Sequence, residues 1–145
     1  MDDASDPYAK PPHVSDETVR ALGMLSEARE WTERARGNLY AFHQMTGHAD
    51  ALLGRAADAL AEAGHTREAE RLRQDFVGRN VLHGRWTFQV VDEYDATYWG
   101  PLREAEAGIC GDLADGRPHL HEAAMKEARR TRGAAHHERR PGPSD

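Results

Sequence analysis

The residues with the richest potential chemistry in this chain lie between Asn80 and Trp99. This segment contains half of all the tryptophan, tyrosine and phenylalanine residues of the protein, and three carboxylates accompany them. The aromatic residues are Trp86, Phe88, Tyr94, Tyr98 and Trp99, and the acids are Asp92, Glu93 and Asp95. If the protein has a specific binding site, we expect it around this segment.

The loop that leads into this segment has the composition of an anion-binding loop. Between Gly78 and Trp86, arginine, asparagine and histidine alternate with glycine just before an expected helix N-terminus. Backbone N–H groups, the positive end of the helix dipole and guanidinium donors all favour a carboxylate or another anion. The candidate ligand- or partner-binding residues are Arg79, Asn80, His83, Arg85, Trp86, Glu93 and Tyr94.

The same residues also have a purely structural interpretation. Arg79 and Arg85 would then pair with the neighbouring acids, while Trp86 and Tyr94 fill the core, since aromatic side chains bury a large area per residue. The sequence leaves both interpretations open, and they differ in whether the polar side chains converge on a concave pocket.

Metal-binding patterns are weak in this sequence. One Glu-x-x-His spacing occurs, from Glu62 to His65, but the glycine between them interrupts helical geometry, and neither HEXXH nor CXXC is present. The remaining candidate metal ligands are His43, His83 and Glu93. We predict no native metal site and no cofactor.

Catalytic and nucleic-acid-binding patterns are also missing from the sequence. Cys110 has small, apolar neighbours, which favours packing over an activated thiolate. No G-x-S-x-G, G-x-G-x-x-G or P-loop pattern occurs. The net charge of −6 argues against a globally basic nucleic-acid binder. The sequence therefore favours a protein that is not an enzyme.

Cysteine content and hydropathy bear on the cellular compartment. A single cysteine cannot form an internal disulfide, and no apolar run approaches the 18 residues typical of a membrane span. The N-terminus is acidic and polar, unlike a secretory signal. These features predict a cytoplasmic protein without a membrane partner.

The elements that would position the candidate residues are helices. Ser15 is a plausible N-cap for the first of them. Its apolar residues recur at steps of three and four, which predicts one buried face: Met24, Ala28, Trp31, Ala35, Leu39 and Phe42. Thr46-Gly47 then suggests a kink or a break, so residues 15–63 form either one bent helix or two helices.

The later helices are bounded by glycine and proline. Gly64 is expected to end a helix, and a further helix should extend to about Gly78. In the aromatic segment, Trp86 and Val90 fit both a strand-like alternation and a longer helical spacing of four, so we predict helix, with a strand at residues 85–91 as the alternative. Gly100-Pro101 should end that helix and start the next one.

These elements predict an all-α fold, a single-domain bundle of four to five helices over residues 15–132. Residues 1–14 are expected to form a flexible, acidic, proline-bearing arm, and residues 133–145 a disordered tail. We expect both arms to be dispensable for stability, because they lack periodic apolar residues.

The function predicted from the sequence is interaction with another protein or with a second copy of the chain. Three tryptophans are more than a small core needs, and interfaces are enriched in Trp, Tyr and Arg. The alternative is a helical protein with a small-molecule or metal pocket centred on residues 79–99, possibly an enzyme.

Overall fold

The structure, a computed structural model, describes residues 6–142 and confirms the predicted all-α class. Its helices are α1 (Asp16–Glu62), α2 (Thr66–Asp75), α3 (Thr87–Tyr94), α4 (Gly100–Ala114) and α5 (Leu120–Arg129), with a π-helical segment, Asp95–Trp99, between α3 and α4. Within residues 6–142 no β-strand forms, and an isolated antiparallel bridge joins Leu82 and Arg85.

Helix α1 runs without a break through Thr46-Gly47, so residues 15–63 contain one helix rather than two. At its start, the Ser15 hydroxyl accepts a hydrogen bond of 3.1 Å from the Thr18 N–H, as expected for an N-cap. At its end, Gly64 takes a left-handed φ of +88°, and the His65 N–H closes onto the Leu60 carbonyl at 2.8 Å. Gly47 lies inside this helix and lowers its stability by only about 1 kcal/mol relative to alanine, a loss that the long helix on both sides tolerates.

Helix α4 begins at Gly100-Pro101 as predicted, but no break precedes it, because α3, the π segment and α4 are contiguous from Thr87 to Ala114. The backbone widens to π geometry directly before the proline, which has no N–H to donate to the helix. In this wider turn the Gly100 N–H reaches the Asp95 carbonyl. A Cβ atom at Gly100 would lie 2.7 Å from that oxygen, so the turn requires glycine.

The ambiguous residues 85–91 are mostly helical. Helix α3 begins at Thr87, and Trp86 occupies its N-cap position, where its N–H donates to the Gln89 side chain at 2.8 Å. The alternation of Trp86, Phe88 and Val90 therefore does not mark a strand.

By their internal contacts the residues of the helical chain group into two compact units. The first unit comprises Met1–Glu30 and Leu102–Asp145, and the second comprises Trp31–Pro101. In the first unit a small apolar cluster holds Val14, Val19, Ala114 and Leu120 together. Helices α1 and α5 approach closely at Gly23, where a Cβ atom would lie 2.6 Å from the His121 ring.

The described parts of both terminal arms make specific contacts in the first unit. Asp6 is 2% exposed, and Val14 is 4% exposed. Arg117 donates to the carbonyls of Asp6 and Ala9, and Arg140 approaches the Asp6 carboxylate at 3.1 Å. The pKa of Asp6 is lowered by the Tyr8 N–H and by Arg140. The ends of both predicted arms, residues 1–5 and 143–145, lie outside the described residues.

Candidate functional site

The predicted site residues do not form one site. In the second unit, Arg79, Asn80 and Trp86 line a common cavity, whereas Glu93 pairs with Arg85 on the surface. His83 contributes its backbone carbonyl, which accepts a hydrogen bond of 3.1 Å from Arg85. Tyr94 packs against Tyr98 instead, with the ring centroids 5.8 Å apart. The convergence of polar side chains on one pocket is therefore only partial.

Arg85 takes the structural role that the sequence left open. Its Nε donates to Glu93 Oε2 at 2.5 Å, and both side chains remain about half exposed. Exposed ion pairs of this kind contribute about 0–1 kcal/mol. The pair fixes the direction of the loop relative to α3 without adding much stability.

The cavity in the second unit has a volume of about 430 Å³. Trp86 is 46% exposed and is held in its wall by a hydrogen bond of 3.1 Å from its Nε1 to the Gly78 carbonyl. Asp50 accepts the Gly78 N–H at 2.8 Å, which ties the loop to α1. The lining combines apolar and charged side chains: Leu53, Phe76, Val81 and Trp86 with Asp50 and Arg79.

The candidate metal ligands are engaged in other contacts. His43 Nδ1 shares a hydrogen bond of 2.5 Å with the buried Thr87 hydroxyl, and Glu93 binds Arg85. Among residues 6–142, no three histidine, cysteine or acidic side chains are close enough to bind a metal ion together.

A contact that the sequence did not reveal joins Arg36 of α1 to Asp95 of the π segment. The guanidinium donates from Nε at 2.7 Å and from Nη2 at 2.9 Å, and it lies 4.2 Å from the Trp99 ring centroid and 4.9 Å from that of Tyr40. The two hydrogen bonds from Arg36 hold the pKa of the Asp95 carboxyl below its usual range. This contact explains why Trp99 and Asp95 are placed where they are: they anchor the π segment to α1.

Asp95→Asn should lower the melting temperature at neutral pH and make the protein less sensitive to acid. Because the folded-state pKa of Asp95 is depressed below 3.8, its contribution is complete above that value and is lost as the pH falls through the folded pKa. Thermal melts between pH 7 and pH 2 would measure this. Asp92→Asn, at an exposed acid of α3, is the matched control and should leave the acid profile unchanged. Equal profiles for wild type and Asp95→Asn would contradict the role of the pair.

A row of exposed side chains runs along α1, and we call it the open stripe. Its positions alternate in steps of three and four, the a and d positions of a heptad repeat, and all twelve are exposed. Met24 is 71% exposed, Met45 65% and Trp31 59%. Eleven of the twelve are apolar: Ala21, Met24, Ala28, Trp31, Ala35, Asn38, Phe42, Met45, Ala49, Leu52, Ala56 and Ala59.

A second stripe on α1, offset by one residue, faces the rest of the chain, and we call it the covered stripe. All of its residues are at least partly buried: Leu22, Leu25, Arg29, Thr32, Arg36, Leu39, His43, Thr46, Asp50, Leu53, Ala57 and Leu60. Its polar members make the contacts to the other helices and loops, including Arg29 with Glu106 and Arg36 with Asp95. The prediction that Met24, Ala28, Trp31 and Ala35 form the buried face is therefore wrong. The helical spacing of these four residues instead marks the open stripe.

Comparisons with known proteins add no functional assignment. No helix within residues 6–142 combines the length and apolar character needed to cross a membrane. The chain matches no family model, no curated protein and no solved structure among those with which it was compared.

Proposed function

We propose that this protein is a self-associating helical module without enzymatic activity, and that the open stripe of α1 is its binding surface. The observation that carries the proposal is the twelve exposed heptad positions, of which only Asn38 is polar. Soluble monomers rarely expose contiguous apolar patches larger than a few hundred Å². From Ala21 to Ala59 the stripe is about 57 Å long at the rise of an α-helix.

The physical driving force is the removal of apolar side chains from water. Burial contributes about 25 cal/mol for each Å² of apolar surface. A repeat of a and d positions is the pattern by which one helix packs along a second helix through knobs and holes. The buried hydrophobic core of the described chain contains alanine, valine and leucine, whereas Met24, Trp31 and Met45 of α1 are exposed, which supports an interface on this helix.

The polar residues of the candidate site also favour binding over catalysis. Three pairs of these side chains are engaged with each other within the chain: Arg85 with Glu93, Arg36 with Asp95, and His43 with Thr87. We place the module in the cytoplasm, because its lone thiol, Cys110, forms no disulfide within the chain.

Light scattering coupled to size-exclusion chromatography tests the proposal. We expect a particle of twice the mass of the chain, which dissociates on dilution. A monomer at every concentration would refute self-association.

A second candidate function is binding of a small aromatic anion in the cavity of the second unit. Its volume of about 430 Å³ falls within the range of about 300–1,000 Å³ for small-ligand pockets, and its wall offers Trp86 and Phe76 for stacking with Arg79 for charge. Benzoate is a suitable probe, detected through tryptophan fluorescence. Arg79→Ala should weaken binding about tenfold, whereas Arg71→Ala, at an exposed arginine of α2 outside the cavity, should not. A lack of saturable binding would dismiss this candidate.

A further inference from the structure

The flank of the open stripe carries an ordered set of charges. This flank consists of the seven residues that directly precede the a positions of the heptad. Six of the seven are exposed: Arg20, Glu27, Arg34, Ala41, His48, Arg55 and Glu62. The opposite flank consists of leucine and threonine, which are partly covered by the protomer itself. Charge on the open stripe can therefore select a partner along one flank only.

Read in opposite directions, this flank is complementary to itself. In an antiparallel pair related by a two-fold axis, the same flank of both helices meets. With Ala41 facing Ala41 of the second copy, Arg20 faces Glu62, and Glu27 faces Arg55. Shifting one helix against the other by one heptad removes this match. In one direction of the shift Arg34 faces Arg55, and in the other direction Arg20 faces Arg55. Like charges at such positions are destabilising.

The same register also alternates small and large residues across the interface. An alanine of one helix lies opposite a large residue of the second copy in four of the six kinds of layer, which is the arrangement that fills an interface without voids. The layers are Ala28 with Leu52, Ala35 with Met45, Ala49 with Trp31, and Ala56 with Met24, followed by Phe42 with Asn38 and Ala21 with Ala59.

A parallel pair has neither property. Each stripe residue would then face its own copy, so that alanine lies opposite alanine and Trp31 opposite Trp31. The charged flank would meet leucine and threonine of the other flank, as with Arg34 against Leu39. Voids and crowding would alternate along the seam.

We propose that two copies of this chain pair antiparallel along the open stripe of α1, with the two-fold axis beside Ala41 and Ala35 packed against Met45 of the second copy. This inference rests on the proposed self-association and adds its direction and register. Asn38, the one polar position of the stripe, then lies next to the two-fold axis, where a buried amide favours a single register.

Disulfide trapping in the full chain tests this register. In a Cys110→Ser background, Ala35→Cys and Met45→Cys are introduced separately and together, followed by mild oxidation and a non-reducing gel. On one helix these positions are about 15 Å apart, too far for an internal bridge, since bridged Cα atoms lie about 4.4–6.8 Å apart. In the proposed dimer they face each other, so we expect covalent dimer from the double variant only.

Each of the other outcomes is informative. Efficient cross-linking by either single variant would overturn the proposed antiparallel pair, because positions 35 and 45 would then each lie about 15 Å along the axis from the same position of the second copy, whereas a parallel pair brings them face to face. A dimer by light scattering that the double variant fails to trap, together with failure of Ala28→Cys with Leu52→Cys, would overturn the register. A monomer by light scattering would instead refute self-association itself.

A charge exchange provides an independent measurement. Glu27 and Arg55 are about 42 Å apart along α1, so they influence each other only between copies. Arg55→Glu should raise the dimer Kd roughly tenfold, and adding Glu27→Arg should restore it. Additive effects of the two substitutions would contradict the proposed pairing.

Discussion

Met45→Glu should convert the associated protein into a monomer that keeps its fold. In the protomer Met45 is 65% exposed, so the substitution costs the isolated chain little. In the proposed dimer two copies of this side chain would be buried, each contributing about 1.5–3 kcal/mol, and the substitution would place two carboxylates in an apolar seam. We expect the dimer Kd to rise at least 100-fold, since about 1.4 kcal/mol corresponds to each factor of ten.

The matched control for this substitution is Gln44→Glu, which adds the same charge at an exposed neighbour outside the open stripe. Sedimentation velocity measures association, and far-UV circular dichroism measures helix content. If Met45→Glu associates as tightly as Gln44→Glu, the open stripe is not the interface. If it loses helix content as a monomer, Met45 supports the fold of the protomer instead.

Val14→Asp should strongly destabilise the first unit. Val14 is 4% exposed and packs with Val19, Ala114 and Leu120, so the change loses about 1.5–3 kcal/mol of apolar burial and places a carboxylate in the cluster. We expect a total loss of about 3–5 kcal/mol in the free energy of unfolding. The lack of periodic apolar residues in residues 1–14 predicts a dispensable arm, whereas the burial of Val14 predicts a loss of stability.

Urea unfolding followed by circular dichroism measures this loss. The control is His13→Asn, because the adjacent His13 side chain is 58% exposed and should tolerate the change. A Val14→Asp variant with wild-type stability would show that this segment does not stabilise the unit.

Local sequence signals predicted the helical class and several helix ends. Ser15 and Gly64 act through contacts within a few residues, so their types alone identify the ends of α1. Gly100-Pro101 does not interrupt the helix, because a π segment precedes it, and Asp95 of that segment contacts Arg36, which lies 59 residues away in sequence. Such contacts leave no periodic signal.

The candidate site was predicted only in part for a similar reason. The sequence predicted, as one of two alternatives, that Arg85 pairs with a neighbouring acid, and that acid is Glu93 of the same local segment. It could not show which stripe of α1 is covered, because the covered stripe includes Arg29 and Arg36, polar residues that gain partners only in the folded unit. The open stripe is the more apolar of the two, and periodicity alone therefore assigned it to the core.

The segment at residues 6–14 illustrates the same limit. Its burial depends on Arg117, Arg139 and Arg140, more than 100 residues away in the chain. A proline-bearing, acidic composition is typical of flexible arms. The basic residues that neutralise Asp6 could not be assigned to it from the sequence.

The measurement that tests the self-association surface most directly is methionine oxidation by hydrogen peroxide, resolved by mass spectrometry at low and high protein concentration. Met24 and Met45 lie in the open stripe, whereas Met125 of α5, 46% exposed, lies outside it and serves as an internal control. Oxidation of a methionine thioether requires access of the oxidant. We predict that Met24 and Met45 become protected as the concentration rises, while Met125 does not. Unchanged oxidation of Met24 and Met45 at concentrations where the protein is associated would contradict the assignment of the open stripe as the interface.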